Sequence, residues 1–134
     1  MFIHLNTIGG IAGDMFIAAM LDAWPELKPK VFDAMRQTGL PSDWSLELNS
    51  ASSSSITGKK LIITGDANNT HFSTGNYKDI CNRLSVSALP PAVIERAVDI
   101  FHRLAVAEGA VHGKSIDAVH FHEIADWDSI CDIV

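Results

Sequence analysis

VHFHEIADWDSICDIV, residues 119–134, decides how this chain is read. Apolar and polar residues alternate at its start, which is the period of a strand. On a strand, His120 and His122 project from one side, and Phe121 and Glu123 from the other. Glu123 ends the strand, where a turn lets it swing round. From Trp127 the pattern becomes helical, with Asp126 or Asp128 suited to the N-cap. Ile130, Ile133 and Val134 then share one side of that helix. A helix of barely two turns is marginal alone. The expectation is therefore that the domain continues beyond Val134 and that a partner covers this apolar end.

Working upstream, LPPAVIERAVDIFHRLAVAEGAVHG (89–113) is the clearest helix. Pro90 and Pro91 stand at its start, where a missing N–H costs nothing. Ile94, Val98, Phe101 and Ala105 recur at helical spacing, and Gly113 stops it. YKDICNRL is a shorter helix. WSLELNS and ITGKKLIITG read as an antiparallel hairpin, with the serine tract between them as a long loop. DANNTHFSTGN is a polar loop. ELKPKVFDAMRQTG is a helix with Val31, Phe32 and Met35 as its stripe and Gly39 at C′. MFIAAMLDA is apolar on nearly every face, so it is predicted to be a buried helix. FIHLN (2–6) alternates and is predicted to be a first strand. The order βααββααβα gives a single layered domain over 1–134, of class α/β (α+β as the variant). Its sheet is mixed, with about four strands.

Composition narrows the function. The 134 residues are 47% hydrophobic and carry a net charge of −6. Mean hydropathy is +0.15, high enough to suggest apolar surface that something else covers. Ten Lys and Arg are scattered without a basic run, which argues against nucleic acid as the main partner. Cys81 and Cys131 form neither a CxxC nor a disulfide framework. The N-terminus MFIHLN lacks a basic region followed by an apolar run, and no apolar window reaches 18 residues. A soluble cytoplasmic chain is the expectation.

Two places can carry chemistry. Two imidazoles on one strand face, one pleat apart, can chelate a single metal. Asp128 and Asp132, at i and i+4, share a helix face beside them. Imidazole with carboxylate suits nickel, zinc, iron or manganese. The competing reading makes the acids caps and dipole partners of a helix start. The second place is GGIAGD, between a strand and a helix. Its backbone N–H groups suit a phosphate or carboxylate, while Asp14 suits a cation or the helix dipole. A plain tight turn is the bland alternative. His4, His71, His102 and His112 read as structural, and Cys131 as a buried small hydrophobe.

HLNTIGGIAGDMFIAAMLDA (4–23) and VHGKSIDAVHFHEIADWDSICDIV (111–134), with the long helix between them, resemble the LarC-type nickel-insertion proteins. Members of that family open with a GI(S/A)GDM segment and later carry VHG, VHFHE and DSIxD. The resemblance covers most of the chain and implies the N-terminal part of a longer architecture. The family inserts nickel into a pyridinium bisthiocarboxylic acid mononucleotide, a CTP-dependent chelatase reaction of the lyase class that uses a divalent metal such as manganese. CTP and manganese belong to the C-terminal region, which the resemblance makes this fragment's partner; the nickel-free cofactor precursor is a second. The fragment alone is expected to be inactive, with no catalytic residue of its own. Gly10 and Gly13 fall on the glycine block as cofactor-binding positions. Asp14, His120, His122, Glu123 and Asp128 fall on the motif positions expected to hold metal. Three positions depart from the family pattern. Asn6 stands where many members have Asp. Ala125 and Asp126 replace Gly-Ala. A histidine-rich tract is reduced to His71. The alternative function is a non-catalytic module that docks on a C-terminal nucleotide-binding partner.

Overall fold

The computed structural model describes residues 2–53, 55–65, 75–121 and 126–134. Its elements are α1 (Gly13–Ala23), a 3-10 turn (Pro25–Leu27), α2 (Lys28–Gln37), β1 (Ser45–Ser53), β2 (Ile56–Thr64), α3 (Tyr77–Ser85), α4 (Pro91–His112), a second 3-10 turn (Ile116–Ala118) and α5 (Trp127–Ile133). Helix and strand are mixed, as expected. The sheet differs: the described strands form one antiparallel pair, β1–β2, where about four strands were expected.

The two further strands expected have different outcomes among the described residues. FIHLN has no ladder partner among the described strands, and residues 2–10 are all exposed. A strand without a neighbour leaves its backbone to water and gains nothing from pairing. Residues 119–121 do pair, and among the described residues they do so through a single bridge, His120 with Asn76. The Phe121 N–H donates to the Gly75 carbonyl at 2.6 Å, and the Tyr77 N–H to the Val119 carbonyl at 3.2 Å. Towards Tyr77 and Val119 the pairing stops because Asn76 caps α3, its side chain accepting from the Lys78 N–H at 2.9 Å; the other direction leads out of the described residues. The alternation still holds: Val119 and Phe121 are buried and His120 is exposed.

The hairpin is tighter than its sequence suggested. Pairing runs from Ser45 with Thr64 to Ser53 with Ile56, so β1 absorbs most of the serine tract and two residues make the turn. Ser55 takes φ 70°, in the left-handed region that such turns require. Leu46, Leu48, Leu61 and Ile63 line the inner face, and Leu61 is fully buried.

Two hydrophobic clusters hold the chain. One gathers Ile80, Leu84, Phe101, Val119, Phe121 and Ile130 between α3 and α4. The other gathers Ala18, Met35, Leu40, Leu61, Trp127 and Cys131 under the hairpin. Helix α5 belongs to both, through Ile130 on one side and Trp127 with Cys131 on the other. That double burial sustains seven residues that would not stay helical alone. It also corrects the expected apolar end. Ile130 is fully buried, and Ile133 and Val134 pack against the first cluster.

Gly39 (φ 93°) and Gly113 (φ 63°) follow α2 and α4 in the left-handed conformation expected of them. Helix α1 departs from expectation. Only Ala18 and Leu21 are buried, while Met15 and Phe16 are exposed. With Phe2 (89% exposed), Ile8 (92%) and Ile11, they leave the N-terminal segment strongly apolar on its outside.

Candidate functional site

The glycine block and the closing block meet, through helices and not through neighbouring strands. Helix α1 starts at Gly13, and its first turn packs against Asp132 of α5. A Cβ at Gly13 would lie 2.5 Å from both Cβ and Cγ of Asp132 and 2.6 Å from Oδ2. Only hydrogen fits there. The Asp14 backbone N–H, one of the free amides at the start of α1, donates to the Asp132 carboxylate.

Three more carboxyls act on Asp132 through their charge. Asp126 caps α5, its Oδ1 accepting from the Ser129 N–H at 3.0 Å. Asp128 follows in the first turn. Asp14 Oδ1 accepts from the Met15 N–H at 2.8 Å. Burial raises the Asp132 carboxyl to about 6, with Asp128 and Asp14 adding to the rise and the Asp14 amide opposing it. Burial also raises Asp128, followed by the charges of Asp126 and Asp14. Asp132 Oδ1 is buried with no hydrogen-bond partner among the described residues. Such an oxygen is costly unless something completes it.

A pH dependence follows. The folded chain holds a proton on Asp132 more tightly than the unfolded chain, whose value is the ordinary 3.8. The stability this group contributes is therefore complete below 3.8 and is lost as pH rises through about 6. Asp132→Asn should melt higher relative to wild type at pH 7 than at pH 4. Melting curves that stay parallel across that range would remove the strain assigned to this carboxylate.

The predicted site residues divide as follows. Gly10 takes φ 100° in an open loop, with no atom within 4 Å of where its Cβ would stand. Gly13, Asp14 and Asp128 come together around Asp132, which the sequence placed on the Asp128 face without giving it a metal role. The signal was present in its i+4 spacing from Asp128 and in its place in the DSIxD motif. His120 is exposed beside the start of α3. His122 and Glu123 lie outside the described residues, as does His71. Among the described residues, no three of His, Cys, Asp and Glu converge as a metal cage. Elsewhere, His102 Nδ1 lies 3.2 Å from the Tyr77 hydroxyl, and His112 lies 3.2 Å from Glu108. Burial raises both thiols, Cys131 to about 12, so neither is primed as a nucleophile.

Against known proteins, residues 3–134 match the model of a family described as nickel insertion protein. A putative nickel insertion protein of Myxococcus xanthus is 39% identical over 134 residues, covering 98% of this chain and 33% of that protein. One from Geobacter metallireducens is 38% identical over 133 residues, with the same coverage. The pyridinium-3,5-bisthiocarboxylic acid mononucleotide nickel insertion protein of Geobacillus kaustophilus is 34% identical over 137 residues, again with 98% and 33% covered. The chain thus spans about a third of the length of these curated relatives. No solved structure matches it. No helix among the described residues is long and apolar enough to cross a membrane.

Proposed function

Because this chain belongs to the nickel insertion protein family, we propose that it handles nickel as cargo for a pyridinium bisthiocarboxylic acid mononucleotide, in the cytoplasm. The observation that carries this reading is the buried, unpartnered Oδ1 of Asp132, set where the two family blocks touch and flanked by Asp14 and Asp128. A divalent cation relieves both defects at once. It completes the orphaned oxygen and neutralises carboxylates that repel one another. His120, His122 and Glu123 supply further ligands from the stretch leading into α5. Oxygen and imidazole donors without thiolate bind nickel moderately, which suits a metal that must be handed on. The loop carrying Gly10 and Gly13 is where an anionic group of the nickel-free precursor would approach, the Gly10 amide itself being held by the Thr7 carbonyl at 3.0 Å. The chelatase step, with its CTP and manganese, belongs to the remaining two thirds of the family architecture.

Titration of the chain with nickel and with zinc, followed by calorimetry, tests this. One equivalent should bind in the wild type, and binding should vanish in the His120→Ala, His122→Ala double variant and weaken in Asp132→Asn. Equal affinity in wild type and double variant would sink the reading.

A second reading is a docking module for the C-terminal, nucleotide-binding part of the family. The exposed Phe2, Ile8, Ile11 and Met15 favour it. It predicts no metal binding by the chain alone, and binding once the C-terminal part is added.

A further inference from the structure

Helix α4 uses one face and leaves another bare. Phe101, Ala105 and Gly109 point into the domain and are buried. Ile100, Leu104, Ala107 and Val111 recur at spacings of four, three and four along a different side. All four are exposed, Ile100 at 40%, Leu104 at 37% and Val111 at 78%. Scattered surface aliphatics mean little, but a straight row over three helical turns is the seam that packs one helix on another. The charges beside it are ordered too. Arg96 and Arg103 run along one edge, and Glu108 stands on the other. Arg103 is anchored by Asp99 at 2.9 Å while its side chain stays exposed.

We propose that the chain self-associates through this row as a two-fold dimer, with the two copies of α4 side by side and parallel. In that orientation Arg103 of one copy faces Glu108 of the other, five residues further along, and symmetry makes the pair twice. The antiparallel alternative sets the arginine edge against itself and repels. The apolar row supplies the affinity, and the charges choose the direction.

Light-scattering mass across a concentration series of the 134-residue chain is the test. The mass should climb from 14.5 kDa towards twice that value. Leu104→Glu should weaken association by about 100-fold, the scale of a central interface residue, with helix content and melting unchanged. Arg103→Glu and Glu108→Arg should each weaken it about tenfold, and the two together should restore it. Ile8→Glu, on the separate N-terminal surface, should leave it alone. A mass of 14.5 kDa at every concentration overturns the proposal. So does a dimer indifferent to Leu104→Glu, one broken by Ile8→Glu, or a double charge swap weaker than either single one.

Discussion

Trp127→Ala is expected to cost about 3–5 kcal/mol, the range for emptying a large aromatic site in a core. Trp127 is the first residue of α5 and is buried under the hairpin, beside Met35 and Leu40. The Arg83 guanidinium stacks 5.0 Å from its ring centroid. Its far edge comes within 3.8 Å of where a Cβ on Gly39 would stand, so no neighbour can move in easily to fill the gap. Seven residues cannot hold a helix unaided, so losing this anchor loosens α5 as a unit. Asp132 should then regain water, and its carboxyl should fall back towards 3.8. Urea denaturation reads the first effect, and carboxyl titration by NMR reads the second. A loss under about 1 kcal/mol, or an Asp132 that still titrates near 6, would mean that α5 is held by its Ile130 side alone.

Gly13→Ala should cost about 1–3 kcal/mol, the range for overpacking a fitted contact. The added methyl would meet Cβ and Cγ of Asp132 at 2.5 Å. Cβ is fixed by the α5 backbone, so the side chain cannot simply swing away and the two helices must part. Alanine gains up to about 1 kcal/mol over glycine within a helix, but Gly13 is the first helical residue and that gain is reduced there. Parting the helices also breaks the Asp14 amide's bond to the carboxylate. The variant should therefore bind nickel more weakly than wild type as well as unfold earlier. Gly58→Ala is the control: its Cβ would meet nothing within 4 Å, and its stability should hold. If Gly13→Ala matches Gly58→Ala in urea, the close approach of α1 to α5 is not a constraint on this fold.

Local signals were read well from the sequence. The two prolines at the start of α4, Gly39 and Gly113 at helix ends and Cys131 as a buried small residue all stand in the structure as expected, and of the two caps offered, Asp126 or Asp128, the structure takes Asp126. Each depends on a few neighbouring residues, because dihedral preference and capping are short-range effects. The site was half legible. Asp14 and Asp128 could be named from their helix-start positions and their motifs. Asp132 stood out as a face-mate of Asp128 and as the last residue of the DSIxD motif, but was not among the residues expected to hold metal. Its strain arises from burial against a glycine 119 positions earlier, which no local pattern records.

Pairing is where the sequence ran out. Alternation in VHFHE gave the right inside and outside for Val119, His120 and Phe121, but alternation alone supplies no partner, and FIHLN has none among the described strands. A strand exists only where another backbone offers its hydrogen bonds in register. On the Tyr77 side Asn76 ends that offer by turning the chain into α3, and the N-terminal segment receives none from the described strands. The fate of α5 was decided in the same way. Its sequence fixes a short helix with three apolar residues, and only the meeting of two hydrophobic clusters on opposite sides of it makes that helix stable enough to hold Asp132 against the start of α1.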